Sequence, residues 1–118
     1  MKIVVLTLFL GLTANAAEAV EWALQPGDDV LRDGALQSRM AAGPIGFFDG
    51  GQSRYGPDDD YSYIYKDGGR SAGEFRIGAD GSVCVDFYNG HSRCDLYVRN
   101  AGRLYLITEK GDRFPVIE

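Results

Sequence analysis

Basic side chains never form a run in this chain. Lys and Arg number 12 against 17 Asp and Glu, and the arginines are scattered singly. Nucleic acid and anionic membrane both require a basic footprint, so neither is expected as a partner. There is one histidine, His91, which restricts serine-triad chemistry to that residue. It sits beside a tight-turn signal, and the adjacent Ser92 would point to the other face of a strand. Neither a phosphate loop nor a dinucleotide fingerprint is present, and no C-x-x-C pair or second cysteine pair suits zinc. No catalytic residue, metal site or cofactor is therefore assigned. Asn-x-Ser/Thr sites are absent as well.

Long apolar runs are also missing after the first residues. The chain begins "MKIVVLTLFLGLTANAAEA". Lys2 forms a positive start, Ile3 to Leu12 is mostly apolar, and Ala14-Asn15-Ala16 and Ala17-Glu18-Ala19 are small-x-small cleavage patterns. This reads as a secretory signal peptide at 1–16, with cleavage after Ala16, Ala17 or Ala19. The run is too short for a bilayer span of ~20 residues. No cysteine stands near the cleavage site for lipid attachment. Cleavage after Ala16 removes one basic residue and no acidic one, which leaves 102 residues with a net charge of −6. The expectation is one exported domain, 17–118, periplasmic or secreted, acidic enough to remain a monomer.

The mature part divides in two. Residues 17–43 form an irregular lead-in with one short helix, about Gly34 to Ala42. Asp33 is placed to cap it, Leu36 and Met40 share a face, and Gly43-Pro44 ends it. From Pro44 on, turn signals recur at short intervals, at Asp49, Gly56, Asp67, Gly78, Asn89, Asn100 and Lys110. Between them lie "PIGFF", "QSRY", "YSYIYK", "GEFRI", "SVCVDF", "RCDLYV", "RLYLITE" and "RFPVI". Gly, Asn and Asp supply the positive φ that tight hairpins need. The pattern predicts an all-β antiparallel meander of about seven or eight short strands in 44–118, forming a small barrel or curled sheet. Apolar residues on both faces of some strands imply cover on both sides, by closure or by the N-terminal segment. Pro115 predicts that the last strand is an edge or frays early.

"CVDFYNGHSRC" holds both cysteines, His91 and Asp86. An exported chain leaves the reducing cytosol, so a Cys84–Cys94 disulfide is expected in place of a metal box. The register is open. A two-residue Asn89-Gly90 turn places Val83, Val85 and Phe87 opposite Leu96, Cys94 and Ser92, and puts the sulfurs on opposite sides. A three-residue Tyr88-Asn89-Gly90 turn, with Gly90 left-handed, sets Cys84 across from Cys94 at a non-hydrogen-bonded position. It also places His91, Arg93, Asp95 and Tyr97 on the face of Val83 and Val85. A bulge further along a strand would reconcile the two patterns.

Three further groups bear on function. Glu74 and Asp86 are strand acids that a small hydrolase would need in a cleft, though Arg93 or Arg76 accounts for Asp86 as well. Asp58, Asp59 and Asp60 are contiguous and read as a solvated turn, since calcium loops space their ligands. Tyr61, Tyr63 and Tyr65 share one strand face, with Ser62, Ile64 and Lys66 on the other. If open, that face is a candidate binding platform for sugar or protein. If closed, it is core.

The stretch from Asp80 to Val116 resembles small exported proteobacterial proteins of no assigned function. They share a DG-x-x-C strand, here Asp80-Gly81 and Cys84; a C-x-x-Y strand, here Cys94 and Tyr97; and a terminal GD-x-F, here Gly111, Asp112 and Phe114. "FFDGGQSRYGPDDDYSYIY" is similar to their aromatic segment. The resemblance implies a periplasmic or secreted β domain and carries over no catalytic residue. The leading expectation is a non-catalytic domain that binds a protein, glycan or envelope component. The rivals are a small hydrolase and a lipocalin-like carrier of an apolar ligand.

Overall fold

A computed structural model describes residues 20–118. The expected signal peptide and its cleavage sites lie outside the described residues. Strand β1 (Asp29–Val30) and helix α1 (Asp33–Ala41) precede eight strands: β2 (Ile45–Phe47), β3 (Gln52–Tyr55), β4 (Asp60–Ile64), β5 (Arg70–Ile77), β6 (Val83–Phe87), β7 (Ser92–Asn100), β8 (Arg103–Thr108) and β9 (Arg113–Ile117). These eight coincide with the eight segments read between turn signals. Each pairs antiparallel with the next, and β9 returns to β2 through Gly46↔Ile117 and Phe47↔Val116. The result is a closed eight-strand antiparallel barrel with one extra strand and one short helix.

One turn recurs in five of the hairpins. At Phe47–Gly51, Tyr65–Gly69, Gly78–Ser82, Phe87–His91 and Thr108–Asp112, the first residue's N–H donates to the fifth residue's carbonyl, and the fourth residue's N–H donates back to the first. That fourth residue is glycine, with φ between 89° and 94°, a region that costs a side chain-bearing residue dearly. In four turns an Asp or Asn precedes the glycine. Its side-chain oxygen accepts the N–H two residues on, from Gly51, Gly69, Ser82 and His91 at 2.7–3.0 Å. In the fifth, Lys110 holds that place and Thr108 Oγ1 accepts the Asp112 N–H at 3.1 Å instead.

The turn at Phe87–His91 decides the register. It is the three-residue form, and Cys84 stands directly across from Cys94 and is bonded to it, with the Cα atoms 4.0 Å apart. The expected bulge is not found: Val83↔Asp95 through Asp86↔Ser92 keep a single register. Cover resolves the mixed polarity instead. Val83 and Val85 face the bore with Arg93, Asp95 and Tyr97. On the outer wall Leu96, Val98 and Ile107 are buried under Trp22, Val30 and Tyr105. β1 makes this possible by pairing with β7 at Val98 and Arg99, beyond the point where β6 has ended.

The lead-in is clasped by one ion pair. Asp28, whose side chain is 1% exposed, accepts two hydrogen bonds from Arg113 at 2.6 and 2.9 Å and one from Asn100 at 2.9 Å. Arg113 also lies over the Tyr105 ring, 4.4 Å from its centroid. Hydrogen bonds from Arg113 hold the Asp28 carboxyl well below the usual carboxylate range, against the effect of burial.

The lower end of the bore is closed by α1. Leu36 and Met40 are buried there as expected, among Ile45, Val83, Tyr97 and Leu104. Glu118 ties the helix to the barrel by accepting from Arg39 at 3.4 Å and Arg99 at 3.0 Å. Two expectations are corrected. Asp33 does not cap: it is the first helical residue, with φ 51°, and no side-chain cap bond forms at Arg32. Pro115 does not mark an edge. β9 pairs with β8 through Arg113, Phe114 and Pro115 and then with β2 through Val116 and Ile117, so the proline sits where β2 has already ended.

Two outcomes follow. Asp28→Asn lowers the unfolding free energy by about 1.5–3 kcal/mol at neutral pH. The wild-type advantage is complete above the unfolded carboxylate pKa of about 3.9 and drains away as the pH falls below it toward the depressed folded value. Urea denaturation at several pH values checks both the size and the direction. Reduction of Cys84–Cys94 adds two daltons to the intact mass and removes on the order of 2–3 kcal/mol.

Candidate functional site

The two ends of the bore differ. The lower end carries the hairpin turns at 56–59, 79–81 and 101–102 and is stoppered by α1. The upper end carries the turns Phe47–Gly51, Tyr65–Gly69, Phe87–His91 and Thr108–Asp112, all of the same glycine type, and no helix among the described residues covers it. Eight strands leave a bore just wide enough for side chains to fill. Tyr97, Leu104, Val83 and Ile45 fill its middle. Above them the lining turns polar.

The tyrosine face is neither platform nor core as a whole. It runs along β4 from one to the other: Tyr61 is 2% exposed, Tyr63 half-buried and Tyr65 49% exposed at the rim. Tyr61 exchanges a 2.9 Å hydrogen bond with Ser53, and Tyr55 one of 2.8 Å with the fully buried Tyr97. Burial raises the pKa of all four of Tyr55, Tyr61, Tyr63 and Tyr97, and the Asp49 charge adds to the rise at Tyr63. Tyr63 and Tyr65 meet edge to face with centroids 5.0 Å apart. Gly51 makes room for this arrangement: a β-carbon there would lie 2.0 Å from the Tyr63 hydroxyl oxygen.

Beneath the mouth Arg93, expected as one of two possible partners of Asp86, pairs instead with Asp95. Arg93 Nε donates to Asp95 Oδ2 at 2.8 Å, and Nη2 completes the ion pair at the same distance from that oxygen. Asp95 is 7% exposed, and the Arg93 side chain is 43% exposed. Burial raises the Asp95 pKa, with Arg93 opposing; burial works against the charge of Arg93, and Asp95 outweighs it, so that pKa rises too. A pair held this far inside contributes less to stability than well-packed apolar side chains would. It is the sort of group that marks a site.

Around the pair the mouth opens into connected recesses. One, of about 160 Å³, is walled by Phe47, Asp49, Tyr63, Arg93, Leu106 and Phe114. A wider one lies between the 48–50 and 66–68 turns, against Asp49, Tyr63, Tyr65 and Asp67. A third runs past Arg93 and Asp95 to Thr108 and Glu109.

The other residues singled out from sequence lie elsewhere. Glu74 and Asp86 are exposed cross-strand partners on the outer wall. Asp86 accepts from Ser92 at 2.7 Å and pairs with Arg76, and both contacts, the serine's first, hold its carboxyl below its ordinary value. Neither acid lines the recesses at the mouth. His91 is exposed at the end of its turn, whose corner is formed by Asn89 and Gly90 as expected. Cys84 and Cys94 are bonded to each other on the outer wall, so the thiols are not free to hold a metal. The Asp58–Asp59 turn is exposed, with both residues left-handed at φ 55° and 60°.

Ionised Asp95 opposes folding at neutral pH, and that opposition is relieved as the pH falls through its raised pKa. Arg93→Met strips away the compensating charge. It lowers the unfolding free energy at pH 7 by about 1–3 kcal/mol, below the usual cost of a broken buried pair because water reaches Arg93. The deficit shrinks as the pH is lowered toward about 4 in urea titrations of variant against wild type. Comparison with protein-family models, with curated proteins and with solved structures finds no match for this chain.

Proposed function

We propose that this is an exported, non-catalytic binding domain of the periplasm or extracellular space that holds a protein, glycan or envelope component at the upper mouth of its barrel. The observation that carries the reading is the asymmetry of the bore. One end is stoppered by Leu36 and Met40. The other is open, rimmed by Tyr65 and Phe114, about half exposed each, with the Arg93–Asp95 pair beneath. A few fixed polar groups in an aromatic recess orient a ligand, and the apolar walls supply the affinity.

Export is supported by the leader-like first residues, by the disulfide, which persists in oxidising compartments, and by the resemblance to small exported proteobacterial proteins. No helix among the described residues is long and apolar enough to cross a membrane. The acidic surface favours a monomer.

A photo-crosslinking residue tests the placement. Put at Tyr65 in the native envelope, it captures a defined adduct, and Tyr63→Ala in the same chain abolishes the capture. Put at Ala79, on the exposed lower turn, it captures none. Equal capture at both ends would sink the assignment of the upper mouth.

A further inference from the structure

We propose that the recess at the top of the bore takes an α-amino-acid head group: an ammonium and a carboxylate on one carbon, carrying an apolar or aliphatic side chain. The inference rests on the upper mouth being the binding site and names what that site recognises.

Three features of the recess point the same way. The first is its pair of opposite charges. Arg93 comes from β7 and Asp49 from the β2–β3 turn, on opposite sides of the eight-strand ring, and both line the same space. Asp95 occupies one edge of the Arg93 guanidinium. No other hydrogen bond to it is present among the described residues, so the Nη1–Nη2 edge is left for a planar carboxylate. Asp49 uses Oδ1 to accept the Gly51 N–H at 2.8 Å, and no contact to Oδ2 is present among the described residues. A carboxylate alone would meet Asp49, and an amine alone would meet Arg93. A zwitterion satisfies both.

The second feature is size. About 160 Å³ corresponds to the liquid volume of about five waters. That is room for one residue, and it is well below the ~300–1,000 Å³ of drug-sized pockets. The third is the wall. Phe47, Leu106, Phe114 and Tyr63 complete the lining, and they match an apolar side chain while offering a sugar few polar partners.

A free amino acid and a residue pendant from an envelope polymer present the same head group. Calorimetric titration of the disulfide-bonded protein with L-leucine tests the first source. A soluble muropeptide bearing diaminopimelate, whose side chain ends in such a head on an aliphatic stem, tests the second. Saturable binding of either is expected. Leucinamide and N-acetyl-leucine, or the amidated muropeptide, each lose about tenfold or more. Asp49→Asn is expected to weaken binding by a similar factor while leaving the turn intact, because Asn89 makes the same side-chain bond in its own turn. Arg93→Lys keeps the charge, loses the planar fork and weakens binding too. If that variant fails to fold, Asp49→Asn decides. Absence of saturable heat from both probes up to about 10 mM overturns the proposal. So does binding that is indifferent to amidation or to Asp49→Asn. Cross-linking that still captures at Tyr65 after such a result leaves the upper mouth standing and removes only the zwitterion.

Discussion

The pairing of β9 with β2 is the constraint from which the rest follows. Two residue pairs turn a curled sheet into a ring, and the ring has no exposed edge to template association. Closure fixes which side of each strand is inside. Ile45, Phe47, Tyr61, Tyr97, Leu104, Leu106 and Val116 become core together, and the bore is narrow enough for their side chains to fill it. It also creates two ends, and among the described residues only one of them has a helix to cover it. The candidate site is what remains at the other end.

Much of this was legible in the chain. Strands and turns were readable because most hairpins carry their own local chemistry: five have a glycine where φ must be positive, and in four of these an Asp or Asn side chain accepts the N–H just before the next strand. The disulfide was legible from the expected compartment, while the register of its hairpin stayed open between a two-residue and a three-residue turn. Closure was not legible, because no local feature of "RFPVI" says that it meets "PIGFF". Pro115 even argued against it, and was tolerated because β9 exchanges one neighbour for the other at that point. The position of the lead-in was equally hidden. Leu96 looked like evidence for the two-residue turn, when it lies with Val98 beneath Trp22 and Val30. Arg93 and Asp95 were seen and passed over, since alternation alone does not tell a polar bore from a polar surface.

Two ion pairs illustrate how context decides what a charge pair does. Asp28 and Arg113 form a many-bonded clasp between the lead-in and β9, with Asn100 completing the shell around the carboxylate. Hydrogen bonds outweigh burial there, and the acid is held ionised. At Asp95 burial outweighs its arginine, and the acid is strained toward neutrality. The first arrangement fastens one segment to another. The second keeps a guanidinium aligned below an opening, at a cost that simple packing would avoid.

The recurrent hairpin also sets the order in which the molecule can be made. Seven of the eight seams of the barrel join strands adjacent in sequence, and each closes over a short loop. The eighth joins residues 46 and 47 to 116 and 117, and β1 must reach across to 98 and 99. Loop-closure entropy makes such distant contacts the slow ones. The chain can therefore zip hairpin by hairpin, with Cys84 and Cys94 brought face to face by their own turn long before the ring is shut. Sealing of the barrel waits for β9.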